Sequence, residues 1–68
     1  MAGVYKKIEV VGTSKESFAD ATKVAVEEAA RTLKNTSWFE VDEQRGAIKN
    51  GKVSEFQVTV RIGFKLER

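Results

Sequence analysis

The sequence predicts an α+β fold, a three-stranded antiparallel sheet folded around one helix in the order β-α-β-β. Three observations predict it. Within Lys52 to Glu67, the residues Phe56, Val58, Val60, Ile62, Phe64 and Leu66 alternate with polar neighbours, the period of a strand with one buried face. Asn50-Gly51 stands immediately before that run and marks a two-residue hairpin turn, because both positions need positive φ. Upstream, Phe18, Ala21, Ala25, Ala29 and Leu33 recur at three- and four-residue spacing, the stripe of an amphipathic helix.

The elements follow in chain order. Val4 to Val11 reads as a strand with Val4, Ile8 and Val10 on one face and Tyr5, Lys7 and Glu9 on the other, closed by Gly12. Thr13 followed three residues later by Glu16 fits a capping box, with Ser14 as the alternative N-cap. The helix is expected from about Lys15 to Lys34, with its basic last turn suited to the helix dipole and Asn35 as its stop. Its alanines allow close approach to a sheet. Ser37 to Lys49 forms the second strand and Lys52 to Glu67 the third. If the helix returns the chain to its starting edge, strands one and two run parallel to each other. An all-antiparallel sheet then needs strand three in the middle, where its unbroken apolar face also belongs.

Composition bounds the function. With 68 residues, the chain forms one domain, residues 1–68, whose core alone supplies little net stability. There is no Cys and no His, which excludes disulfides, thiolate and zinc sites, and His-based acid–base chemistry. Oligomerisation is the remaining staple, and a bound ligand can add to it. A net charge of +2 is too small to imply nucleic acid or an anionic membrane. No apolar run reaches membrane-spanning length, and the first residues do not read as a signal peptide. A cytoplasmic location is the expectation.

A single helix covers one sheet face only. The other face holds Trp38, Glu40, Asp42 and Gln44 from strand two, with Gln57, Thr59 and Arg61 from strand three. A hairpin without bulges places Gln44 opposite Gln57, Glu40 opposite Arg61 as an ion pair, and Trp38 opposite Gly63; Gly46 is a candidate bulge. Trp38 has the parity of the polar face, whereas Phe39 and Val41 have that of the core. Beside a glycine, its ring either fills a subunit interface or offers a flat platform to a planar ligand. Gln57 is either a solvated strand residue or a match for the donor–acceptor edge of a heterocycle. Arg45 pairs with a phosphate, packs on a ring, or is an ordinary surface arginine.

These residues, taken together, resemble a known family. Val4-Tyr5-Lys6-Lys7-Ile8-Glu9, Val11-Gly12-Thr13-Ser14, Ser37-Trp38-Phe39-Glu40-Val41, Gln44-Arg45-Gly46, Glu55-Phe56-Gln57-Val58 and Gly63-Phe64-Lys65-Leu66-Glu67 resemble the bacterial dodecins in order and spacing across essentially the whole chain. The resemblance implies a hollow homododecamer that binds flavins in pairs across two-fold axes. It implies FMN, with riboflavin or FAD as alternatives. Trp38 would stack on the isoalloxazine ring, Gln57 would bond its pyrimidine edge, and Arg45 would lie near the site. Some members also bind coenzyme A. A helix position associated with that ligand is Glu28 here, while Thr32, Lys34 and Lys65 are compatible with it. The implied role is flavin storage with suppressed photochemistry, with no catalysis, no nucleic acid and no membrane. The competing readings are a flavoenzyme, a single-stranded nucleic-acid binder and a purely structural shell subunit.

Overall fold

The computed structural model describes residues 2–67; the two end positions of the expected 1–68 domain lie outside the described residues. Strand β1 spans Tyr5–Ser14, helix α1 Phe18–Ala30, strand β2 Thr36–Lys49 and strand β3 Lys52–Lys65. The sheet order is β1-β3-β2, with both pairings antiparallel. The predicted α+β class and the central place of the third strand are therefore observed.

The core is the middle of the predicted face of β3 against the small-residue stripe of α1; Phe56 and Phe64 are half-buried, and Leu66, beyond the strand's end at Lys65, is exposed. Val58, Val60 and Ile62 are fully buried beneath Ala21 and Ala25. Ile8, Val10, Phe18, Val26, Ala29 and Leu33 pack around them. Each branched side chain removed from water contributes roughly 1.5–3 kcal/mol gross. The hairpin turn also forms as read: Asn50 and Gly51 have φ of 54° and 75°.

Three local expectations are corrected. First, β1 continues through Gly12 to Ser14, since Gly12 pairs with Val58 and Ser14 with Phe56. The hydroxyls at Thr13 and Ser14 therefore do not cap the helix. Ser17 does, accepting the Asp20 N–H at 2.9 Å. Buried Ser14 instead accepts the Glu16 N–H and donates to the Asp20 carboxylate at 2.7 Å, tying strand end to helix start.

Second, α1 stops at Ala30. Its last turn tightens, with Arg31 N–H bonding the Glu28 carbonyl and Thr32 N–H that of Ala29, the usual way of satisfying terminal carbonyls. The last turn holds no basic residue. Lys34 lies beyond it, and Asn35, with φ of 64°, turns the chain into β2 rather than capping the helix.

Third, Gly46 is not a bulge and pairs regularly with Phe56. Three irregularities occur: an extra residue on β2 at Ser37, before Trp38, and, between Trp38 and the turn, one on β3 at Ser54 and one on β2 at Asp42. Each shifts the register by one, and those at Ser54 and Asp42 cancel. Between them the register moves, so Gln57 faces Arg45 and not Gln44. Outside them Trp38 faces Gly63 and Glu40 faces Arg61, as expected.

Gly12 sets how closely the helix sits. A Cβ there would collide with the Ala21 carbonyl oxygen and lie 2.7 Å from the Ala25 Cβ. Gly12→Ala should therefore destabilise the protein by about 1–3 kcal/mol, the usual range for overpacking. The readout is a lower denaturant midpoint at fixed protomer concentration. An unchanged midpoint would mean that the helix is free to move away.

Candidate ligand-binding face

Strand pairing arranges the outer face in rows. Lys7, Gly63 and Trp38 form one row, then Glu9, Arg61 and Glu40, then Val11, Thr59 and Glu43, and finally Thr13, Gln57 and Arg45. Two groups of side chains result, one at each end.

At the first end the Trp38 indole lies directly over Gly63. A Cβ at position 63 would stand 2.6 Å from the ring's Cη2 and closer still to two other ring atoms. Trp38 as a whole is 40% exposed. Tyr5 borders it, with ring centroids 5.1 Å apart and planes tilted by 58°. The indole N–H donates to the Glu40 carboxylate at 2.8 Å. Lys7 reaches across from β1 and donates to the same carboxylate at 3.2 and 3.3 Å. The Trp38 hydrogen bond first, and the Lys7 hydrogen bond second, hold the Glu40 carboxyl below its ordinary titration range. The expected Glu40–Arg61 ion pair is not what forms, although the two residues are opposite. Glu40 is taken by Trp38 and Lys7, and Arg61 pairs with Glu9 at 3.4 Å and Asp42 at 3.6 Å.

At the second end Arg45 donates through Nε to the Gln57 amide oxygen at 2.8 Å. Its Nη1 donates to Glu43 at 2.7 Å and to Thr59 at 3.1 Å. The Gln57 amide nitrogen donates to Glu55 at 2.9 Å. The bulge at Asp42 makes this group possible by turning Glu43 and Arg45 to the outer face, so Glu43 does not sit on the apolar side.

Of the three residues singled out from sequence, the fold joins Arg45 to Gln57 and leaves Trp38 apart. The Gly63 row and the Gln57 row are six residues apart on β3, roughly 20 Å at strand spacing. No single planar ring system touches both within one chain. Sequence reasoning gave Tyr5 and Lys7 no part beside Trp38. Their parity placed them on this face, but no turn signal fixes the register of β1 against β3. Among the described residues no three or more acidic side chains gather as a metal site, and no helix is long and apolar enough to cross a membrane.

Fold and face together define a small single-helix β-α-β-β subunit with an aromatic platform outside its core. The chain belongs to the dodecin family: the family model for dodecins matches residues 4–67. A dodecin of Thermus thermophilus is 48% identical over 67 residues, covering 98% of this chain and 97% of that one. The structure of a dodecin from Streptomyces davaonensis superposes with a TM-score of 0.94 at 37% identity, covering 100% of both chains. A calcium dodecin of Mycobacterium tuberculosis, described with a calcium-binding site, superposes with a TM-score of 0.82 at 31% identity, over 94% of this chain and 91% of that one. Membership in this family implies a homo-oligomer.

The platform can be probed directly, since Trp38 is the chain's one tryptophan. Gly63→Val should displace the indole, changing its near-ultraviolet circular dichroism and its emission maximum while far-ultraviolet signal persists. An unaltered indole spectrum would show that the ring does not rest on position 63.

Proposed function

We propose that this chain is the subunit of a cytoplasmic homododecamer that holds FMN in stacked pairs between Trp38 side chains of symmetry-related copies and keeps the bound flavin photochemically quiet. The observation that carries this reading is the exposed indole laid flat over a residue with no side chain. Such a surface suits a planar ring better than an extended chain. Indole is electron-rich and oxidised isoalloxazine electron-poor, so face-to-face stacking is favourable. Close stacking also allows the indole to give an electron to the excited flavin, which returns it without emission.

Gln57 and Arg45 fit the same reading on one condition. Given the roughly 20 Å between the two rows, the copy that supplies Gln57 is not the copy whose indole stacks on the same ring. The site is complete only between subunits. The Gln57 amide offers both a donor and an acceptor to a pyrimidine edge, and its links to Arg45 and Glu55 set which way it points. Riboflavin and FAD present the same ring. Coenzyme A is not needed for the arrangement.

The charge pattern argues against single-stranded nucleic acid. On the outer face Lys7, Arg45 and Arg61 each carry an acidic partner, and Lys65, opposite Tyr5, is a single further cation beside the aromatic among the described residues, too little for a basic track. Catalysis has no support either, since the chain offers no His or Cys and a ring held between an indole and a second flavin leaves little room for substrate.

Titration of FMN with the oligomer tests the proposal. Emission should fall to near zero at one FMN per subunit. Trp38→Ala should weaken binding by roughly tenfold to a hundredfold, the scale of ~1–3 kcal/mol for loss of a stacked ring. Trp38→Phe should retain part of the affinity while restoring emission, because benzene is a poorer electron donor. Full emission with stoichiometric wild-type protein would end the proposal.

A further inference from the structure

The Trp38 ring has a freedom that packing alone does not remove. It rests on Gly63 on one side and touches Tyr5 at a tilt, and the residue keeps 40% of its surface exposed. Those two contacts limit how far the indole turns about its Cβ–Cγ bond, a broad torsion, but neither engages its N–H. The polar edge of the ring is nevertheless fixed. Its N–H meets Glu40, two residues along the same strand and on the same face, at 2.8 Å. Glu40 in turn is held from another strand, because Lys7 bonds both of its oxygens. Arg61 adds a weaker attraction that also favours the ionised Glu40 carboxyl, but it does not take the oxygens that meet Trp38 and Lys7. Arg61, its cross-strand neighbour on β3, is engaged by Glu9 of β1 and Asp42 of β2.

We infer that Glu40, anchored by Lys7, is a positioning residue that sets the plane of the Trp38 ring and so pre-forms the platform before any ligand arrives. The benefit to binding is entropic, since a ring already held in its bound orientation loses less freedom on association. The ligand half of this inference rests on the flavin reading, whereas the positioning half stands on this chain alone.

The sign of the pH dependence follows from the depressed Glu40 carboxyl. A lowered folded-state pKa means that the interaction is complete above the ordinary glutamate range and is lost as pH falls through the lowered value. The indole should therefore stay ordered at neutral and mildly acidic pH and loosen only below the usual carboxylate range.

The experiment uses the ligand-free oligomer, with the single tryptophan as reporter. In Glu40→Leu the near-ultraviolet circular dichroism of the indole should fall by about half or more and its fluorescence anisotropy should drop, as expected when one anchoring bond is removed. Glu40→Gln keeps an oxygen acceptor, so it should preserve the signal at neutral pH and abolish its loss in acid. Lys7→Met should give an intermediate signal. Added FMN should bind Glu40→Leu roughly three- to tenfold more weakly than wild type, with Glu40→Gln close to wild type. An indole signal in Glu40→Leu equal to that of wild type overturns the inference. A reduced signal in Glu40→Leu, with no FMN uptake by wild type, upholds the positioning role and sinks the flavin reading instead.

Discussion

The outer face is arranged around the contact between the Trp38 indole and the bare backbone of Gly63. Any side chain at position 63 would occupy the space the ring fills. With glycine there, the ring lies down against the sheet rather than standing away from it. Its N–H then falls within reach of Glu40, Glu40 within reach of Lys7, and Tyr5 closes the border. One missing Cβ thus organises four side chains from two strands into a flat, oriented platform.

A second constraint is one of length. A helix of 13 residues spans about 20 Å, whereas a strand of 14 residues spans about 46 Å. The protomer is correspondingly elongated, 54 Å along its longest axis. The helix sits over β1 and β3, so the inner side of β2 and the hairpin end stay bare. Phe39 is 51% exposed and Ile48 78%, although Phe39 shares the core side of the sheet with its partner Ile62. A domain this small gains little from its own core, and this uncovered apolar surface is where further copies would add to it. One short helix on one long sheet is thus a physical reason for the dodecin family's oligomeric habit.

The sequence made the architecture legible because each signal had a local cause. Asn50-Gly51 fixed the turn, the alternation from Phe56 to Leu66 fixed the buried face of β3, and the spacing of Ala21 and Ala25 fixed the helix stripe. What it did not show is equally physical. Thr13 and Ser14 look like helix caps until the pairing of Ser14 with Phe56 claims them for the sheet. The compensating extra residues at Ser54 and Asp42 leave no mark in composition, and Gly46, the residue that resembles a bulge, is regular. Because the two shifts cancel, the pairing of Trp38 with Gly63 was readable by counting from the turn, whereas the pairing of Gln57 was not. Glu40 was visible as an outer-face acid, but its choice of Trp38 and Lys7 over Arg61 depends on the register of β1, which no turn sets.

The most direct measurement is the structure of the oligomer saturated with FMN. The account requires isoalloxazine rings parallel to the Trp38 indole at van der Waals separation, ~3.5–4.0 Å, paired across a subunit contact, with Gln57 from a different copy at the pyrimidine edge. An indole packed flush against a neighbouring subunit with no slot between them, or flavin bound elsewhere on the assembly, would contradict it.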